Sequence, residues 1–536
     1  MGKIFGNKAR IDLGSSDFRR FIEYENLYID KTIYIEHIIQ EASSVLLITR
    51  PRRTGKSLNL DMLRTFLDCK LDTKSFFRGL YIESSEVFKN INKCPVIYLD
   101  IKDLNEKLYK KQFFDSLKTI SSNYLQPEQM DWKVKECFEN KLYEETSILR
   151  YLIENLHSIC GVRPYVLIDE YDKILMDNIH SPLYEEIRQW LTNILESALK
   201  SNLSLEKAVI TGVTRISKES MFSGLNNIEV FDVFTPSVFD GDFSLTEEEA
   251  HELLDKDQLK LAREWYNNYR VGNELLYTLF SALSYQKSGR LENYWGRSGT
   301  IDLLVSLLNK KLAGDLAEMI KDPQKSTSTS IDSRLSYKEL LHKTTESGFY
   351  SLAVQAGYLS HTKQSGEGSN IYQVHIHNKE IANVWKEFIL DRISRENVCE
   401  LAKIFKYLSH TEEFSKRLKD FIDYQLSFYD LDKELEKTYH VLFFGLALGA
   451  GYCCHSNKES GLGRYDLLIE GDDFSVIIEL KKATSKNKLE QLASKALAQI
   501  DTNEYVGSLC SEKPLYKVGV SCYKTSCYVK TSLHNY

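Results

Sequence analysis

Gly55-Lys56-Ser57 directly follows an apolar run at Leu46-Leu47-Ile48 and precedes helix-spaced apolar residues from Leu58 to Leu67. Strand, polar loop and helix in that order make a phosphate cradle, because loop N–H groups and those of the first helical turn point at the anion. Lys56 supplies a cation for the β/γ oxygens, and the Ser57 hydroxyl can join a Mg²⁺ shell. The pattern G-x-x-x-x-G-K-[ST] is met at Gly55, Lys56 and Ser57, but Arg50 stands where its first glycine belongs. Arg50-Pro51 therefore either builds a different turn or weakens nucleotide binding. The plainer alternative is an ordinary strand-to-helix turn with a surface lysine.

Asp169-Glu170 leaves a second apolar run, Tyr165-Val166-Leu167-Ile168. Beside a Gly-Lys-Ser loop, Asp169 orients a Mg²⁺ shell and Glu170 polarises the attacking water. Thr211, on the apolar segment Lys207 to Arg215, would sit near the γ-phosphate if that strand lies between the other two. Arg215 could stabilise charge in the transition state. Either residue is as readily a structural polar group at a strand end. The expected nucleotide set is thus Arg53, Thr54, Gly55, Lys56, Ser57, Asp169, Thr211 and Arg215, with Ser57 and Asp169 on the metal.

A third group lies far down the chain, where Asp466 is followed by a turn at Glu470-Gly471-Asp472-Asp473 and by Glu479-Leu480-Lys481. The flanking runs read as a β-hairpin. Side chains alternate along a strand, so Ile477, Glu479 and Lys481 share one face and Asp466 projects from the neighbouring strand. Two carboxylates with a lysine two residues on can hold Mg²⁺ at Asp466 and Glu479 and activate water, with Lys481 orienting the nucleophile. A salt-bridge ladder on a hairpin is the alternative.

The elements that must position these groups are four apolar strands, near Leu46–Ile48, Pro95–Asp100, Pro164–Asp169 and Lys207–Arg215, alternating with helical patterns. They predict a parallel α/β sheet with its site at the carboxyl ends of the strands. Lys107 to about His157 reads as one long helical region. Residues 246–395 open on Thr246-Glu247-Glu248-Glu249, an N-cap box. Trp265 to Asn273 is an aromatic turn that either stacks bases or packs this lobe. Lys321–Ser330 and His361–Asn370 are loops by composition, the second joining a hairpin of a small winged-helix-like module. From about 396 the chain is helical as far as the rear hairpin.

The 536 residues, 43% hydrophobic and 27% charged, suit a globular chain of about three domains. No segment reads as a signal peptide, and the longest apolar run, Val441 to Tyr452, is too short to cross a bilayer, so a soluble, cytoplasmic protein is expected. Ten scattered cysteines lack paired C-x-x-C spacing and read as buried thiols. The net charge of −7 argues against a globally basic nucleic-acid binder. Residues 401–536 hold 18 Lys+Arg and 18 Asp+Glu, so a nucleic-acid face there would be a local patch around Lys481, Lys482, Lys486, Lys488 and Lys495.

Tyr28-Ile29-Asp30-Lys31-Thr32, Arg50 to Ser57, Leu167 to Asp172 and Thr211 to Ser220 together resemble the AAA-ATPase-like family, including its Arg-Pro-Arg-Arg phosphate loop. Members commonly end in a PD-(D/E)XK superfamily nuclease domain. Asp466 followed by Glu479-Leu480-Lys481 resembles that active site, with Gly461-x-Gly463-Arg464-x-Asp466 as a local version, Glu436 as a candidate third acid and Gln499 as a supporting group. The resemblance implies a P-loop ATPase domain over 1–245, a helical or winged-helix-like lobe over 246–395 and an α/β nuclease-like domain over 396–536. It further implies ATP and Mg²⁺ as cofactors, nucleic acid as partner with DNA favoured over RNA, and a possible homo-oligomer; the lack of a bilayer-length apolar run leaves no membrane partner expected. ATP binding would change the lobe arrangement and load the nuclease. The rival reading is a nucleotide-gated sensor whose rear domain binds without cutting.

Overall fold

Val45–Thr49 (β1) is buried at every residue in the computed structural model, as an aliphatic strand covered on both faces must be. Lys56–Leu67 (α1) follows it, started by Gly55 at φ +93°, a left-handed conformation that glycine adopts without strain. Val96–Asp100 (β2), Tyr165–Asp169 (β3), Lys207–Gly212 (β4) and Ile228–Phe231 (β5) complete a five-stranded, all-parallel sheet in the order β2-β3-β4-β1-β5. Thus β4 does lie between β1 and β3. Strand β5 was not expected: four residues with exposed Glu229 at an edge lack the continuous apolar run of the inner strands.

The structure describes residues 4–216, 227–295, 303–305, 307–308, 310–322, 324–334, 340, 345–363, 370–391, 395–426, 440, 443–447, 450–456, 459–460, 463–502, 513–523 and 526–534. It divides into two compact units, Met1–Thr300 with Ser328–Glu380, and Ile301–Thr327 with Ile381–Tyr536. Among the described residues no helix is long and apolar enough to cross a membrane.

In the first unit the region expected as one long helix is three, Tyr109–Tyr124, Trp132–Asn140 and Ile148–Cys160. Pro127 starts a short 3₁₀ turn after the first, and the Asp131 carboxylate caps the second. Thr246 and Glu249 form the expected capping box ahead of Glu247–Leu253. Ser360–Lys363 and Ile371–His375 pair as the expected hairpin, and Thr327–Ser330, expected as loop, is the third strand of their sheet, its threonines being good strand formers. Tyr266 and Tyr269 are buried, so those rings pack the unit rather than offer a stacking platform.

The second unit contains Lys310–Lys321 (α2) and a mixed sheet of Cys453–Ser456 (β6), Leu467–Glu470 (β7), Ser475–Lys482 (β8), Leu515–Tyr523 (β9) and Ser526–Leu533 (β10), in chain order across the sheet. Only the β8–β9 pair is parallel. One face buries Leu467, Ile469, Val476, Ile478 and Val518 in a large core. On the other, Leu468, Ile477 and Leu515 pack under Leu489–Thr502 (α3) through Ile500.

Alternate residues of β9 dock α3. Lys517 Nζ donates to Asp501 Oδ1 at 2.6 Å and Ser521 Oγ to the Leu489 carbonyl at 2.5 Å. Gly519, in register with Glu479, lies between them, where a Cβ would stand 2.3 Å from the Ala493 carbonyl oxygen and 2.7 Å from the Leu497 nitrogen. Backbone cannot yield as a side-chain tip can. Gly519→Ala should therefore push α3 off the sheet and destabilise the second unit by about 1–3 kcal/mol, read as a lower urea midpoint; an unchanged midpoint would show that the approach is looser than this.

Candidate functional site

Arg50 resolves the first uncertainty of the phosphate loop. Its guanidinium is buried, donating to the carbonyls of Thr49 at 2.9 Å, Phe231 at 2.9 Å and Phe239 at 3.2 Å, with Asp240 at 3.9 Å. It seals the carboxyl ends of β1 and β5 instead of turning the loop. The turn is made further on, at Arg53 (φ +61°) and Gly55. Pro51 gathers the loop: its carbonyl accepts Thr54 Oγ1 at 2.9 Å and Lys56 Nζ at 2.7 Å.

Arg53, Thr54, Gly55, Lys56 and Ser57 line one cleft of about 440 Å³, facing Glu170. Lys56 is buried, which pushes its pKa down, while Glu170 and Asp169 oppose that. Burial pushes Glu170 up, and Lys56 draws it back. Glu170 itself sits at φ +50°, a left-handed conformation costly for a non-glycine residue, held where the strand exit meets the cleft. The Arg53 guanidinium lies 4.5 Å from the centre of the Phe280 ring, an apolar wall that also lines the cleft. Lys31, Asn59 and Asp242 line it too, and sequence reasoning did not single them out as site residues. Lys31 pairs with buried Glu249 at 2.7 Å, and Asp242 with His37 Nδ1 at 2.8 Å.

Asp169, Thr211 and Arg215 lie outside that lining. Asp169 is fully buried, with Oδ1 accepting the Thr211 hydroxyl at 2.6 Å and the Glu170 N–H at 3.1 Å. Its Oδ2 has no hydrogen-bond partner among the described residues. A buried carboxylate oxygen left unpaired is costly, and a hard cation is one group that would satisfy it. Thr211 therefore orients Asp169 rather than facing the cleft. Arg215 receives the Gln355 side-chain oxygen on its main-chain N–H at 3.0 Å.

In the second unit the alternation of β8 brings the rear acids together. Leu480 N–H donates to Asp466 Oδ2 at 2.7 Å, and Asp466 N–H to Glu479 Oε2 at 3.4 Å. Glu479 Oε1 accepts Lys481 Nζ at 3.4 Å and, from α3, Gln499 Nε2 at 2.5 Å. His440 Nε2 lies 3.1 Å from the Asp466 carbonyl oxygen. Glu436 and Gly461 lie outside the described residues. Glu479 is pushed up to about 7, by burial first and the neighbouring Asp466 charge second, against Lys481. Two buried acids that repel and still point together are a fit for a divalent, oxygen-preferring cation such as Mg²⁺.

Residues 12–222 match the family model described as predicted AAA-ATPase, and residues 434–532 match that of the PD-(D/E)XK nuclease superfamily. A curated relative from Azotobacter chroococcum mcd 1, described as an uncharacterized protein in the vnfD 5' region, is 30% identical over 371 residues. The match covers 66% of this chain and 64% of the relative.

Between the usual glutamate range and about pH 7 the folded chain holds a proton on Glu479 that the unfolded chain releases, so this group's contribution to stability falls as pH rises through that window. Glu479→Gln removes the charge and keeps the shape. In EDTA its Tm should exceed the wild type by a margin that grows from pH 5 to pH 8; a margin that is flat with pH would mean the acids are not in conflict.

Proposed function

We propose that this chain, in which an AAA-ATPase-like domain is followed by a PD-(D/E)XK nuclease-superfamily domain, hydrolyses ATP in its first unit and cleaves nucleic-acid phosphodiesters in its second. The observation that carries the reading is the convergence of Asp466, Glu479, Lys481 and Gln499 within 2.5–3.4 Å contacts on one sheet face. A salt-bridge ladder would pair each acid with a base. Here Lys481 reaches Glu479, while the Asp466 carboxylate accepts the Leu480 N–H.

In the first unit, Lys56 Nζ exchanges the Pro51 carbonyl for β/γ-phosphate oxygens, and the N–H groups of the first turn of α1 take the remaining anion charge. Phe280 walls the cleft, Thr211 holds Asp169, and Glu170 polarises water. Mg²⁺ at Ser57 and Asp169 would neutralise phosphate charge. In the second unit, Gln499 fixes the rotamer of Glu479, Leu480 N–H fixes Asp466, and Lys481 aligns the attacking water. A Mg²⁺ ion on the two acids would polarise the phosphodiester and favour hydroxide. DNA is the favoured substrate, RNA the second.

The test uses the full chain with plasmid, single-stranded DNA and RNA, Mg²⁺ or Mn²⁺, with and without ATP. Lys56→Ala should reduce ATP turnover by about 10²-fold or more, and Lys481→Ala should reduce cleavage by about 10²-fold or more while ATPase persists. Intact ATPase with no cleavage of any substrate under either metal would leave a nucleotide-gated binding protein instead.

A further inference from the structure

On the same face of the second unit's five-stranded sheet, with Glu470 four residues on from Asp466, a different donor set is assembled. Cys453 is in register with Glu470 and His455 with Leu468, so both β6 side chains project on the side of Leu468 and Glu470. The Cys453 sulfur, a His455 ring nitrogen and a Glu470 carboxylate oxygen lie within 4.8 Å of one another. His455 Nε2 is 3.7 Å from Cys453 Sγ and 2.7 Å from Glu470 Oε2. Its other nitrogen, Nδ1, is 2.7 Å from Glu318 Oε1 on α2. His455 is buried while Cys453 and Glu470 are half-buried, so the cluster opens on one side.

We propose that Cys453, His455 and Glu470 bind a zinc ion, with Glu318 holding the imidazole from behind, and that the ion pins β6 and α2 to the sheet. One sulfur, one nitrogen and one carboxylate oxygen are a borderline-soft set that suits zinc rather than Mg²⁺. Zn–S near 2.3 Å and Zn–N near 2.0 Å place sulfur and nitrogen about 3.5 Å apart in a tetrahedron, close to the separation here. Glu470 must withdraw by roughly half an ångström to make room. Glu318 on Nδ1 is the outer carboxylate that fixes a ligating histidine's tautomer and leaves the Nε2 lone pair for the metal. Binding releases the thiol proton and any Nε2 proton to solvent, so affinity rises with pH. Water takes the fourth position.

The purified full chain, stripped with chelator and kept in excess Mg²⁺ to occupy the rear acids, is titrated with zinc and, separately, with Co²⁺. Wild type should retain one equivalent of zinc more than Cys453→Ser, show a thiolate-to-cobalt charge-transfer band, and gain a few degrees in Tm at saturating zinc. Glu318→Gln should keep the stoichiometry with about 10–100-fold weaker affinity. If Cys453→Ser does not fold, loss of the cobalt band in Glu470→Gln serves as the readout. Equal zinc retention by wild type and Cys453→Ser, or a wild type without the band, would reduce the cluster to a histidine bridging two glutamates and overturn the proposal. Nuclease activity enters none of these readouts.

Discussion

A buried carboxylate is tolerated only when donors surround it, and in both units the donor comes from the strand next door. Asp169 ends β3 and is gripped by the Thr211 hydroxyl of β4; Asp466 precedes β7 and is gripped by the Leu480 N–H of β8. Neighbouring Asp172 is anchored the same way, by the N–H groups of Val213 and Thr214 at the exit of β4. Sheet pairing thus does two jobs. It builds the core, and at Asp169 its register engages Oδ1 and leaves Oδ2 without a hydrogen-bond partner among the described residues.

That constraint explains which parts of the chemistry were readable from residues alone. The period of two in Ile477-x-Glu479-x-Lys481 fixes one face without any knowledge of the rest of the fold, and the hairpin turn brings Asp466 to the same place. The phosphate loop is equally local, since Gly55 at a strand-to-helix junction implies a left-handed residue there. The four strands read from the sequence announced themselves through apolar runs, and the three inner ones, β1, β3 and β4, are buried at every residue. Edge strand β5, with only one fully buried residue, did not.

What stayed hidden depends on partners distant in the chain. Arg50 looked like a defect in a glycine-rich loop, because the carbonyls of Phe231 and Phe239 that it satisfies lie some 180 residues away. Thr211, open between a γ-phosphate neighbour and a structural polar group, hydrogen-bonds Asp169 from outside the cleft lining. Gln499 was named through the resemblance alone; the close seat of α3 on Gly519, which no periodicity in either segment signals, is what brings it within reach of Glu479. Cys453 read only as one of the scattered buried thiols, because Glu470 across the strand pair and Glu318 from α2 are distant from it in the chain.

Side by side on one sheet face, the two clusters of the second unit differ in softness and are kept apart by an apolar pair. Leu468 and Ile477, directly opposite each other on β7 and β8, sit between Asp466 with Glu479 on one side and Glu470 with Cys453 on the other, buried beneath Ile500 of α3. An apolar layer keeps the two sets of donors apart. The hard oxygen donors Asp466 and Glu479 thus gather toward the middle of the sheet, and the sulfur and nitrogen donors gather on the outer strand β6. The same alternation that makes the acids meet also sets this spacing, because each step to the next side chain on the face is two residues, roughly 7 Å along the strand. A shift of β6 by one residue against β7 would turn Cys453 and His455 into the opposite core and bring Cys454 to the surface in their place.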